Sequence, residues 1–139
     1  KVIAPSQFPD ENVGKLDHNS YEKDNETNWL NWDHRDANSE LVEFYKSLIQ
    51  IRKENELLRI SNPEDFQFIT ADGSDVAIGF IISHGDESIT VLMNSHQSDI
   101  AEFDLESADW MKVISTHDDI KLKNLKVILP PVSGIILKK

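Results

Sequence analysis

The chain has 139 residues, 39% of them hydrophobic and 28% charged, with a formal net charge of −11 and no cysteine. That balance fits one globular domain or a small domain with an appendage, and it excludes disulfides, thiolate-held zinc and thiol nucleophiles. The acidic surplus argues against a nucleic-acid partner, because phosphate binding needs clustered Lys and Arg. No apolar run reaches the roughly 18–20 residues of a membrane span, so no membrane partner is expected either.

Residues 1–37 hold Pro5, Pro9, Gly14 and many Asn, Asp and Ser, a composition that predicts irregular structure. Asp36, Asn38 and Ser39 can each cap a helix, and Glu40 and Glu43 suit its positive end. Leu41, Phe44, Tyr45, Leu48 and Ile51 then form an amphipathic stripe, and Arg52 and Lys53 suit the other end. These signals predict a helix over about 39–55, within boundary errors of roughly two to four residues. Its stripe is expected to dock on the following domain or on a partner.

After Pro63 the period becomes extended. Strands are predicted at Phe66–Thr70, Val76–Ser83, Ser88–Asn94, Ile100–Leu105, Trp110–Ser115, Leu125–Leu129 and Ile135–Lys138. Gly85-Asp86 suits a tight hairpin, and Pro130-Pro131 marks the corner before the last strand. Short strands at this spacing read as a mainly β fold, an antiparallel β sandwich preceded by an irregular loop and one helix.

The chemistry the chain can carry is limited. Asp24, Glu26, Asp33 and Asp36 lie in a polar stretch where nothing raises a carboxyl pKa, so capping and solvation explain them better than paired acid–base catalysis. His18, His34, His84, His96 and His117 fall in five separate loops or turns without ligand spacing. Neither a Gly-x-Ser-x-Gly elbow nor a glycine-rich phosphate loop occurs. No catalytic residue, metal or cofactor is therefore assigned. Sugar binding remains: Tyr21, Trp29 and Trp32 offer stacking faces, and Asn19, Asn25, Asn28 and Asn31 offer amides. The competing expectation is that Trp29 and Trp32 anchor the loop on apolar surface, and Trp110 is expected in the β core.

Asn19-Ser20-Tyr21, Trp29-x-x-Trp32 and the helix Leu41–Lys53 resemble, in that order, the end of the catalytic barrel in α-amylase-superfamily glycoside hydrolases. Val91-Leu92-Met93-Asn94, Trp110 with Val113–Thr116, and Ile128–Leu137 resemble landmarks of the β domain that follows such barrels. The likeness covers about residues 17–139 and is nearest to debranching enzymes of the pullulanase and isoamylase types, without choosing between the two. It implies that residues 1–60 are the last loop and helix of a truncated (β/α)8 barrel and residues 61–139 a C-terminal β sandwich. The chain begins at Lys1, which agrees with an expected C-terminal fragment whose partners are the missing barrel of the same polypeptide and, through it, an α-glucan. The parent would hydrolyse α-1,6 branch points with retention. The superfamily's catalytic carboxylates match nothing here, and Asn19, Tyr21 and Trp29 are the positions the resemblance offers for substrate binding. A carbohydrate-binding module or a purely structural β domain is the alternative. Location in the cell is not legible.

Overall fold

A computed structural model describes residues 14–16, 20–22, 24 and 28–139. It divides into two compact units, Lys1–Leu48 and Ile49–Lys139.

In the first unit a 3₁₀ turn at Ser20–Glu22 precedes helix α1, Asp33–Ala37. Five helical residues thus stand where irregular chain was expected. Asn31 starts α1, its Oδ1 accepting the Asp33 N–H at 2.9 Å. Asn38 ends it, donating its backbone N–H and Nδ2 to the His34 carbonyl at 3.1 and 2.7 Å. Asp36 lies inside α1, so it does not cap the long helix. That helix, α2, spans Ser39–Glu54 and begins as soon as α1 ends. Glu43 pairs with Lys46 at 2.6 Å and Gln50 donates to Glu54 at 2.6 Å along its polar side. No residue of α2 is buried: Leu41 and Tyr45 are exposed, and Phe44, Leu48 and Ile51 are half-buried. Of the five stripe residues, two are thus exposed and three half-buried.

The second unit is a two-sheet antiparallel sandwich. After a one-turn helix α3 (Leu57–Ile60) and a 3₁₀ turn come β1 (Phe66–Thr70), β2 (Ala77–His84), β3 (Glu87–Asn94), β4 (Ala101–Asp104), β5 (Met111–Ser115), β6 (Lys121–Lys123), β7 (Lys126–Leu129) and β8 (Ser133–Lys138). One sheet has the order β1-β2-β3-β8-β5, the other β4-β7-β6. Seven of these strands lie where the extended period placed them. The three-residue β6 was not expected, since Lys121-Leu122-Lys123 offers one apolar residue to a period search.

The core lies between the sheets: Leu92, Phe103, Leu105, Trp110, Val127, Leu129, Ile135 and Leu137 are buried there with three alanines. Gly79 belongs to this close approach. A Cβ there would sit 2.5 Å from Leu92 Cδ2 and 2.7 Å from the Val91 carbonyl oxygen, so β2 and β3 need a glycine at that point. Gly85 opens the two-residue β2–β3 hairpin with φ 61°, a conformation open to glycine without steric cost. Across β4 and β7, Lys126 pairs with Glu102 at 3.3 Å and Asp104 at 3.5 Å. The hydrogen bond to Glu102, then the charge of Asp104, raise the lysine's pKa.

Asn94, at the end of β3, is 2% exposed. Its Nδ2 donates to the carbonyls of Asp99 at 2.9 Å and Pro130 at 3.0 Å, with Leu129 at 3.3 Å. Its Oδ1 accepts the His96 N–H at 3.0 Å. One amide thus ties β3 of the large sheet to the β3–β4 loop and to the corner where β7 of the small sheet turns into β8. Asn94→Ala should cost on the order of 3 kcal/mol in urea unfolding, because several buried backbone groups lose their partner at once. Leu48→Ala, at a half-buried position of α2, should cost less than the roughly 2–5 kcal/mol of a fully buried leucine.

Candidate functional site

The sugar-binding candidates lie in the first unit. Asn19 and Asn25 fall outside the described residues. Tyr21 sits in the 3₁₀ turn and is 82% exposed, Trp29 is 60% exposed, and Trp32, at the start of α1, is 66% exposed. Neither tryptophan is anchored by burial in this chain.

Each nevertheless has a polar partner. Trp29 Nε1 donates to Asp24 Oδ1 at 2.9 Å, which fixes one edge of an indole that is otherwise largely exposed. The Arg35 guanidinium lies 5.9 Å from the Trp32 ring centroid and pairs with Asp36 at 2.9 Å. An indole oriented by its N–H with an open apolar face is what a pyranose ring stacks on. Asp24 and Asp36 are thus committed to polar partners, and all the described carboxylates of this segment are exposed.

The second unit has a different character. The described histidines stand apart: His96 Nδ1 accepts the Asp99 N–H at 2.9 Å in the β3–β4 loop, His117 Nδ1 lies 2.8 Å from Thr116 Oγ1, and His84 Nδ1 lies 3.9 Å from Asp65. Among the described residues no three His, Asp or Glu side chains gather as metal ligands do. A cleft of about 310 Å³ opens beside α3, with Leu57 and Ile60 below Asp65, His84 and Glu87. It lacks a stacking ring. Trp110 is 7% exposed, in the core as expected, with Lys139 Nζ 5.5 Å from its ring centroid.

One exposed aromatic was missed in the sequence. Phe68 is 69% exposed on β1, packed edge-on against Phe80 at 6.4 Å. Phe66-x-Phe68, two aromatics on one face of a strand, was the signal for it.

No family model matches the chain, and no curated protein matches it. Among solved structures it is similar to the crystal structure of an α-amylase from H. orenii, with a TM-score of 0.55 and 20% sequence identity, over 71% of this chain and 20% of that chain. The two-sheet fold is one that an α-amylase contains. This chain spans about a fifth of that protein's length.

The exposures predict the fluorescence. Acrylamide should quench most of the tryptophan emission, that of Trp29 and Trp32, and leave a shielded fraction. Trp110→Phe should abolish the shielded fraction; a shielded fraction that survives would place Trp29 or Trp32 in a buried site.

Proposed function

We propose that this chain is the C-terminal part of an α-glucan debranching glycoside hydrolase: the last loop and helix of the catalytic barrel followed by its β sandwich. The observation that carries the reading is the fold it shares with part of an α-amylase. The sequence landmarks named above support it, and so does the α2 stripe, none of whose residues is buried, which suits a helix whose packing partner lies in a catalytic barrel. On this reading the parent hydrolyses α-1,6 branch points of pullulan, glycogen or starch by double displacement through two carboxylates held elsewhere in the polypeptide. The debranching assignment rests on Asn19-Ser20-Tyr21 and Trp29-x-x-Trp32.

In this proposal Asn19, Tyr21 and Trp29 contact the glucan. Tyr21 and Trp29 supply stacking faces, Asp24 holds the indole edge, and Asn19 supplies an amide for ring hydroxyls. Sandwich and helix carry and position the loop and take no part in bond cleavage.

One observation favours a second reading. Tyr21, Trp29 and Trp32 are all open to solvent, as the stacking residues of a non-catalytic carbohydrate-binding module must be. The two readings separate on the chain alone. Incubated with pullulan, it should release no reducing sugar above buffer, and maltooligosaccharides should leave its tryptophan fluorescence unchanged in the millimolar range. Turnover that a substitution in this chain abolishes would defeat the first expectation. Saturable quenching that Trp29→Ala removes would make the module the better description.

A further inference from the structure

His96 is built into the backbone around it. Its N–H donates to Asn94 Oδ1 at 3.0 Å and its carbonyl accepts the Val132 N–H at 3.0 Å, which clamps the residue to the end of β3 and to the β7–β8 corner. The ring then turns onto its own loop. Nδ1 accepts the backbone N–H of Asp99 at 2.9 Å and that of Ser98 at 3.2 Å. Nε2 lies 3.2 Å from Asp99 Oδ2. An imidazole nitrogen that accepts N–H groups carries no proton, so this network assigns a neutral ring with its hydrogen on Nε2, directed at Asp99.

That arrangement holds only for the neutral ring. An imidazolium has two N–H donors and no acceptor, so a proton on Nδ1 would meet the Ser98 and Asp99 N–H groups head-on and take away the acceptor of both. Ser98 Oγ, 3.4 Å from Nδ1, is too far to compensate and already donates to Asp99 Oδ1 at 3.0 Å. Charge acts in the opposite direction. Asp99 on the loop itself, and Asp75 on the β1–β2 turn that lines the same cleft of about 280 Å³, both favour a positive ring. The β7–β8 corner, Pro130 to Ser133, has no ionisable side chain to add. The Asp99 side chain is 72% exposed, and an ion pair so open to water contributes little. Two backbone donors set against a third donor lose their bonds outright. The hydrogen bonds decide the sign: protonation disfavours the closed loop.

What the loop controls follows from what it lines. His96, Asp99 and Ile100 form one wall of the cleft, and the β1–β2 turn at 73–76 forms the other. Asn94 Nδ2 holds the Asp99 carbonyl at 2.9 Å independently of the ring, so the far end of the turn stays anchored. Release is therefore confined to the turn at 96–99 and reshapes one wall of the cleft.

We propose that this turn is a pH-sensitive latch, closed by the neutral His96 ring and released when Nδ1 takes a proton. The proposal concerns the sandwich alone and stands whether or not the parent is a debranching enzyme. It is tested by NMR on the 139-residue chain from about pH 8 to about pH 5, the range in which histidine ordinarily changes charge. The amide protection factors of Ser98 and Asp99, corrected for the intrinsic effect of pH on exchange, should fall roughly tenfold in step with the His96 ring resonances. His96→Asn sets an amide oxygen in the place of Nδ1, accepts without titrating, and should keep both amides protected across the range. His96→Ala should leave both unprotected at either end of it. Constant protection in the unmodified chain while the ring titrates would overturn the proposal, as would protection that survives His96→Ala. A fall that persists in His96→Asn would assign the change to Asp75 or Asp99 and overturn it equally. Where a variant fails to fold, the unmodified chain decides: amides that respond at a different pH from the ring contradict the latch.

Discussion

The Asn94 side chain is the constraint on which the sandwich most depends. Two sheets packed face to face are held by apolar contact, which has no direction and does not fix where one strand crosses from sheet to sheet. A buried primary amide does fix it, because leaving its hydrogen bonds unmade is costly. Asn94 sets the end of β3 against the Pro130 corner, and Ser133 Oγ secures that corner further by donating to the Pro130 carbonyl at 2.7 Å. Val132, with φ 49°, lies at the same turn, and its N–H donates to the His96 carbonyl at 3.0 Å. The carbonyl of Pro130 and the proline-forced break in the ladder thus act together: β7 ends in the small sheet and β8 begins in the large one.

Much of this was legible in the sequence. The helix at Ser39–Glu54 followed from charge placement and period, and the strands followed from β-branched runs between turn residues. The Pro130-Pro131 corner followed from the missing N–H groups. What escaped notice is physically consistent. Helix α1 is five residues closed by Asn31 and Asn38, too short for any period to register. Strand β6 is three residues that depend on β7 for their pairing. The capping role given to Asp36 failed because a local alternative, α1, consumed the residue. The aromatic pattern Trp29-x-x-Trp32 was visible, but whether such rings are buried or open is decided by neighbours that no local pattern names.

The same limit governs function. Apolar side chains of α2, Leu41 and Tyr45, lie open here. Such surface in a chain of net charge −11 is more economically read as an interface than as a fold in poor repair. The aromatic segment adds an oriented indole, its N–H held by Asp24, and an exposed tyrosine. The proposed function uses the same features: an aromatic loop to meet a glucan, with the bond-breaking groups elsewhere in the parent.

The most direct measurement of the proposed function is the product of pullulan digestion by the proposed parent polypeptide, resolved by chromatography with the anomer read by proton NMR. Cleavage of the α-1,6 links of pullulan gives maltotriose, and double displacement gives it first as the α-anomer. Maltotriose released as the α-anomer is the predicted result. Panose or isopanose, which arise from α-1,4 cleavage, would contradict the debranching assignment. Pullulan, glycogen and amylopectin all left intact would contradict the hydrolase reading itself.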